Sequence, residues 1–286
     1  MAGKLERIRM KLISYEAGIG PQVGIVEGGE VLVVTDAIWR GGSTLRAIIE
    51  RGELQAARAH ARERIALASV KLLPPIFDPP RIWCVGVNYH EHRIETGRDP
   101  TEQPTIFTRT PQSQVGHGVP LAVPAASDRM DYEAEIAIVI GKPGRAIAED
   151  DALAHIAGYS CYNDVSIRDW QRHTSQWIPG KNFEGLGAFG PWLVTPDEMP
   201  APEQMRVIAR LNGQVVQDAV ASDMIFSIPE IIAYLSTFTT LLPGDVIATG
   251  TPGGVGAKRT PPLWMKAGDT VEIEVAGVGV LTNAVV

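Results

Sequence analysis

Glu133 and Glu135 stand two residues apart at the head of the apolar run 136–140. On a strand, side chains two apart share a face, so this pair would set two carboxylates side by side at the mouth of an otherwise apolar strand. Like charges that close need a shared proton or a cation, and all-oxygen ligation favours Mg²⁺, Mn²⁺ or Ca²⁺ over zinc. Read alone, Glu-x-Glu also fits a solvent-facing strand edge. A third acid, Asp164, lies in a polar cluster after the apolar stretch 156–161. Three carboxylates would suit an octahedral ion that keeps positions open for substrate oxygens. Position alone does not bring Asp164 to the glutamates, and Asp164, Arg168 and Asp169 could equally pair around a turn.

His92 and Glu95 are three apart in the segment 88–95, which reads as a short helix in a loop after a strand, so they share a helical face. A carboxylate on an imidazole orients the ring and makes it a better base for water. A surface helix with an incidental His and Glu has the same spacing. His90 and His92 form an HxH pair, but no third nitrogen or sulfur ligand has zinc spacing. Lys181 stands among Trp177, Phe183, Phe189 and Trp192, surroundings that could desolvate an ammonium and aim it at an anion, unless it is an ordinary exposed lysine. The run Gly250-Thr251-Pro252-Gly253-Gly254 offers a hydroxyl and open backbone N–H groups to a carboxylate, although a plain glycine turn explains it as well. Trp170, Trp177, Trp192 and Trp264 are candidates for a distal pocket wall or for core.

The elements that must position these groups are mostly short β-branched strands separated by Gly and Pro: 82–87, 105–108, 133–140, 207–211, 215–218, 245–249, 270–275 and 278–286. Asn212-Gly213 is a two-residue hairpin signal, and Ser227 with Glu230 three residues on is a capping box that opens a helix to about Phe238. Residues 149–156 make a second plausible helix. Upstream, 23–26 and 31–34 flank Glu27-Gly28-Gly29-Glu30 as a hairpin, and 44–51 and 54–68 read as helices with Ser43 as N-cap and Gly52 between them. Four prolines within 73–80 mark a linker. The expected layout is a small α+β N-terminal domain over 1–72, a Pro-rich linker over 73–80, and a catalytic domain over 81–286. The fold class is α+β, predominantly β. Strands and helices do not alternate regularly, and the glycines of 250–256 lack the GxGxxG or P-loop spacing, which argues against a Rossmann layout.

The 286 residues are 45% hydrophobic, enough to bury a core. With 26 Lys+Arg against 33 Asp+Glu the net charge is −7, the wrong sign for broad contact with nucleic acid. Cys84 and Cys161 make neither a disulfide framework nor a CxxC cluster, which suits a reducing compartment. No apolar run approaches the roughly 18 residues of a membrane helix, and the start has no signal-type stretch, so a cytoplasmic protein with no membrane partner is expected.

Taken together, the segments resemble the fumarylacetoacetate hydrolase family over 81–286. The motifs are Asn88-Tyr89-x-x-His92-x-x-Glu95, Asp131-Tyr132-Glu133-x-Glu135 and Asn163-Asp164-x-Ser166-x-Arg168-Asp169-x-Gln171. Gly180-Lys181-x-Phe183, Gly190-Pro191-Trp192, Thr249-Gly250-Thr251-Pro252-x-Gly254-Val255-Gly256 and Gly268-Asp269 follow in order. The resemblance implies a mixed β-sandwich roll, usually a homodimer, behind a small N-terminal domain. It implies one Mg²⁺ or Mn²⁺ per subunit (Ca²⁺ in crystals) on Glu133, Glu135 and Asp164. It implies that His92 with Glu95 is a lid dyad that activates water, that Lys181 steadies substrate oxygens, and that Arg168, Gln171 and Thr251 orient substrate. Two residues depart from the pattern: Arg109 stands where lysine is frequent, and Glu184 where Asp is common.

The activity expected from both readings is hydrolysis of the C3–C4 bond of a 2,4-dioxo acid of acylpyruvate type, to pyruvate and a carboxylic acid. Water deprotonated by His92 and Glu95 would attack C4, and Lys181 would stabilise the oxyanion. The alternatives are oxaloacetate decarboxylation and keto–enol or double-bond isomerisation of the 2-hydroxymuconate or 2-oxo-hept-3-ene-dioate type, which use the same enolate without attacking water. A catalytically idle keto-acid binding protein is the alternative outside enzymes, and turnover of any 2,4-dioxo acid would exclude it.

Overall fold

A computed structural model describes residues 10–18, 20–34, 44–197 and 199–286. The N-terminal strands β1 (Lys11–Ala17), β2 (Gly20–Glu27), β3 (Glu30–Val34) and β4 (Ala61–Ala66) pair in that order as an antiparallel meander, and β5 (Lys71–Leu72) adds to the other side of β1. Gly28 turns the β2–β3 hairpin at φ +59°, a left-handed conformation that favours glycine.

Beyond the prolines come β6 (Ile82–Val85), β7 (Ile106–Arg109), β8 (Gln114–Val115), β9 (Met130–Asp131), β10 (Ala134–Ile140), β11 (Ile156–Asp164), β12 (Ser166–Ile167) and β13 (Gly187–Val194). The last group is β14 (Arg206–Leu211), β15 (Gln214–Val220), β16 (Val246–Ala248), β17 (Thr270–Val275) and β18 (Gly279–Ala284). One large sheet runs β4-β3-β2-β1-β13-β11-β10-β16-β6-β7, and a second runs β15-β14-β17-β18. The N-terminal meander therefore continues the sheet that holds β10 and β11, through Leu12 opposite Leu193.

β10 is buried along its whole length because both of its faces are covered. Ile136, Ile138 and Ile140 pack toward Val207, Val271 and Ile273 of the second sheet, while Ala137 and Val139 join Leu12, Leu193, Ile48 and Ile49 on the other side. Burying a side chain of this size contributes about 1.5–3 kcal/mol, which holds the strand that carries Glu135 rigid. The arrangement is an α+β fold of mixed sheets. Among the described residues no helix is long and apolar enough to cross a membrane.

The helices are α1 (Leu45–Glu50), α2 (Leu54–His60), α3 (His90–Thr96), α4 (Glu149–Ala152), α5 (Arg168–Gln171), α6 (Ile178–Lys181) and α7 (Ile228–Phe238). α7 opens on the expected capping box, with Ser227 and Glu230 bonding reciprocally. Asn212 and Gly213, both at positive φ, make the β14–β15 turn.

The N-terminal half corrects two expectations. Residues 54–68 are not one helix: α2 stops at His60 and β4 begins, pairing with β3 so that Ile65 lies opposite Val31. Local composition favours helix there, but completing the edge of β3 satisfies backbone groups that would otherwise be open. The cap of α1 is Thr44, whose side chain accepts from the Ala47 N–H, and Ser43 lies outside the described residues. The prolines after β5 run along the fold, with Ile76 buried and its carbonyl accepting from Gln114.

Candidate metal centre and active site

Glu133 immediately precedes β10 and Glu135 lies inside it, pointing to the face of Ala137 and Val139. The neighbouring strand β11 runs antiparallel with Ala134 opposite Asn163, which brings its last residue, Asp164, beside the glutamates. Asn163 fixes this end of the ladder by accepting the Glu133 N–H through its side chain at 3.0 Å. One oxygen from each of Glu133, Glu135 and Asp164 lies within 4.8 Å of the others, and all three residues are buried.

Cations surround two of the three acids. Lys181, at the end of α6, bonds Glu133 Oε2 and Asp164 Oδ2, both at 2.6 Å. Arg168, opening α5, reaches Glu133 Oε1 at 2.6 Å and Asp131 Oδ2 at 2.7 Å, and Arg109, at the end of β7, reaches Asp164 Oδ1 at 2.6 Å. Glu135 receives only the Gly250 N–H, at 2.9 Å, among the described residues. The electrostatics follow. Burial alone would raise Glu133, but the charges of Arg168 and Lys181 hold it well below the usual carboxylate range. Burial, joined by the charges of Asp164 and Glu133, pushes Glu135 well above that range. Burial would lower Lys181, and Asp164 and Glu133 more than offset it, so its ammonium is stabilised.

Three buried oxygen donors that repel one another, one of them without a cationic partner, fit a hard divalent cation. The donor set contains neither nitrogen nor sulfur, which disfavours zinc.

His92 and Glu95 sit on α3, where Gly97 in the left-handed conformation ends the helix. His92 Nδ1 lies 2.6 Å from Glu95 Oε1, and Glu95 Oε2 accepts the Gly254 N–H at 3.0 Å. A carboxylate only accepts, so Nδ1 carries the hydrogen, and in the neutral ring the lone pair is then on Nε2. A cavity of about 290 Å³ brings His92, Glu133, Glu135, Asp164, Arg168, Gln171, Lys181 and Thr251 to one wall system. Trp177 lines it too, whereas Trp170 and Trp192 pack against the core. Of the expected site residues, Glu95 and Gly250 do not line the cavity: Glu95 is engaged by His92 Nδ1 and the Gly254 N–H, while the Gly250 N–H is spent on Glu135 and any Cβ there would lie 2.6 Å from Asn88 Cβ.

Three functional positions escaped the sequence reading. Asp131 gathers Arg168 Nε and the N–H groups of Gly256 and Ala257, so it holds the arginine and the glycine loop together. Gln217 on β15 bonds both the Ala134 N–H and Thr251 Oγ1. Arg109 was noted only as a departure, yet it clamps Asp164. Asp131 stood inside a quoted motif, but its partners are set by contacts distant in sequence.

Residues 81–286 match the family described as fumarylacetoacetate (FAA) hydrolase, C-terminal. The chain belongs to the fumarylacetoacetate hydrolase family. A family member from Xenopus laevis, named as a mitochondrial oxaloacetate tautomerase, is 37% identical over 290 residues, which span 98% of this chain and 91% of that protein. Among solved structures, a fumarylacetoacetate hydrolase from psychrophilic Exiguobacterium antarcticum superposes with a TM-score of 0.86 at 35% identity, covering 96% of this chain and 99% of that one. A 2-hydroxyhepta-2,4-diene-1,7-dioate isomerase from Mycobacterium marinum gives a TM-score of 0.77 at 33% identity, over 97% and 98% of the two chains.

Proposed function

We propose that this family member enolises 2-oxo acids that carry a second carboxylate, with keto–enol exchange of oxaloacetate as its main reaction. Decarboxylation or double-bond isomerisation would be variants of the same chemistry. The observation that carries the reading is the buried Glu133, Glu135 and Asp164 cluster, with His92 on the wall of the same cavity. The name of the Xenopus relative supports it.

Mg²⁺ or Mn²⁺ held by the three carboxylates would supply Lewis acidity that makes the hydrogens at C3 of a 2-oxo acid labile. The chain does the rest. Thr251, Arg168 and Gln171 line the cavity as donors for the substrate's carboxylate and oxo oxygens. Lys181 keeps a full positive charge beside the place where enolate charge develops, so it stabilises that charge without gaining or losing a proton. His92, steered by Glu95, takes the C3 proton at Nε2 and returns it to the carbon or to the enol oxygen.

The His92–Glu95 pair also favours a second reading, acylpyruvate hydrolysis, in which Nε2 takes its proton from water and the hydroxide attacks C4. One assay separates the two. Purified protein with Mg²⁺ or Mn²⁺ is given oxaloacetate and a small acylpyruvate panel, with an EDTA control, while enol absorbance and pyruvate are followed. EDTA-sensitive loss of oxaloacetate enol without pyruvate supports tautomerisation, and pyruvate from oxaloacetate supports decarboxylation. Acylpyruvate cleavage with an acid co-product as the dominant activity would replace both with the hydrolase reading.

A further inference from the structure

Lys181 is buried between two acids, yet the element that carries it has little of its own to keep it there. α6 is only four residues long, too short for its internal hydrogen bonds to hold it. Its apolar residue, Ile178, is 45% exposed, so burial does not fasten it either. On one side α6 lies so close to α5 that a Cβ on Gly180 would sit 2.3 Å from the Gln171 nitrogen. Trp177 before it meets Phe107 edge-on, and Phe183 after it meets Trp170 in the same way. Apolar contacts of this kind hold the segment down without fixing where along β7 it sits, because they have no direction.

The directional contacts come from Asn182, the residue that ends α6. Its Oδ1 accepts the Thr110 N–H at 2.7 Å, and its Nδ2 donates to the Thr108 carbonyl at 3.2 Å and to the Ile178 carbonyl at 3.1 Å. The amide orientation is settled by these partners, since an N–H must meet an oxygen and a carbonyl must meet a donor. β7 is the last strand of the large sheet, and residues 108 and 110 turn their backbone groups to the same side. One side-chain amide thus stands where a further strand would pair, and it brackets Arg109, the residue between its two partners. Lys181 and Arg109 divide Asp164 between them, at Oδ2 and Oδ1, both at 2.6 Å. Ser113 Oγ and the Val165 carbonyl steady the Arg109 guanidinium, at 3.1 and 3.2 Å. The backbone that delivers it is held to the backbone that delivers Lys181 through Asn182.

We propose that Asn182 is a positioning residue: it locks α6 to the open edge of β7 and so sets the Lys181 ammonium and the Arg109 guanidinium at a fixed spacing on Asp164. It touches neither substrate nor metal ligand and acts through its two neighbours. Its effect on turnover rests on the proposed role of Lys181 beside the developing enolate, whereas its effect on the place of Lys181 does not.

Heteronuclear NMR of the lysine side-chain ammonium groups tests the placement directly. An ammonium buried between two carboxylates exchanges its protons slowly enough to be seen, while exposed lysines lose theirs to water. The Lys181 signal is identified by its loss in Lys181→Met. In Asn182→Ala it should shift or broaden, with a melting temperature close to that of the parent. Asn182→Ser, whose hydroxyl reaches one partner at most, should move it in the same direction. A Lys181 signal missing from the parent, or unmoved in both variants, overturns the proposal. Turnover of oxaloacetate by Asn182→Ala should then show kcat lower by about tenfold with KM within about twofold, the pattern of a contact made in the transition state. In a Lys181→Met background the alanine should cost nothing further. Full additivity of the two losses would show that Asn182 does not act through Lys181. A displaced ammonium signal in a protein that leaves oxaloacetate unchanged would keep the placement and remove the reaction assignment.

Discussion

Gln217 donates from Nε2 to Thr251 Oγ1 at 2.8 Å, and this settles where the threonine can send its own hydrogen. The amide cannot be turned round, because Gln217 Oε1 accepts the Ala134 N–H at 2.9 Å and Nε2 also meets the Pro252 carbonyl at 2.8 Å. Accepting from Gln217, the Thr251 hydroxyl is left to donate into the cavity it lines. A glutamine on the second sheet thereby sets the polarity of a cavity-facing group and ties its loop to the residue after Glu133.

Gln217→Ala should therefore raise KM more than it lowers kcat, and Thr251→Val should do the same. The double variant should be little worse than either single one, because both remove one unit. The alanine also leaves the Ala134 N–H buried without a partner, at a cost of about 1–3 kcal/mol visible in denaturant unfolding. Additive losses in the double variant would show that the two residues act separately.

Glu133→Ala should abolish divalent-ion binding and EDTA-sensitive turnover together. It also strips Arg168 and Lys181 of one buried acid each, so stability should fall by about 3–5 kcal/mol, as when a buried pair is broken. Calorimetric titration with Mn²⁺ and a melting curve check both parts. Metal affinity unchanged from the parent would remove Glu133 from the ligand set.

His92→Ala should lower kcat by about a hundredfold or more, the usual weight of a positioned general base, while Mn²⁺ affinity stays near that of the parent. Full activity in this variant would take proton transfer away from His92. Loss of acylpyruvate cleavage with oxaloacetate exchange retained would assign His92 to water alone.

His117 supplies a pH dependence of stability away from the site. Burial lowers its pKa below the ordinary value of 6.5, and its Nδ1 accepts the Thr282 N–H at 3.1 Å, which requires that nitrogen to be unprotonated. The unfolded chain takes up the proton first as pH falls, so stability from this group is flat above 6.5 and declines on acidification below it. Melting curves from pH 8 to pH 5 should show a shallower acid-side fall in His117→Asn, whose side-chain oxygen can still accept from Thr282.

Gly187→Ala should disturb the site without replacing an ionisable residue. A Cβ on Gly187 would lie 2.8 Å from both Arg109 Nη2 and the Tyr162 hydroxyl, so the guanidinium that clamps Asp164 must shift. Overpacking of this kind costs about 1–3 kcal/mol, and Mn²⁺ affinity should fall with it. An unchanged melting temperature and metal affinity would show that Arg109 has room to yield.

The features legible in the chain are those with short periods. The two-residue spacing of Glu133 and Glu135, the three-residue spacing of His92 and Glu95, the Asn212-Gly213 turn and the Ser227 capping box each depend on neighbours within a turn or a pleat. β11 and β13, the centre of the large sheet, were not legible as strands, because Gly158, Ser160, Asn163 and Gly187 interrupt any apolar alternation. Buried on both faces, they had no polar side to reveal the period.

By itself, then, the sequence determined which acids, bases and turns exist and which of them share a local face, along with an α+β fold that is mostly strands. Only the tertiary structure decided that Asp164 meets the glutamates, through the Ala134–Asn163 register, and that Lys181, Arg168 and Arg109 share out those acids. It also decided that residues 61–66 leave the helix for the open edge of β3 and that β1 joins β13. The physical reason is the same throughout: spacing along a chain sets direction, but partners across strands are selected by burial and by backbone hydrogen bonds that residues far apart in sequence must complete.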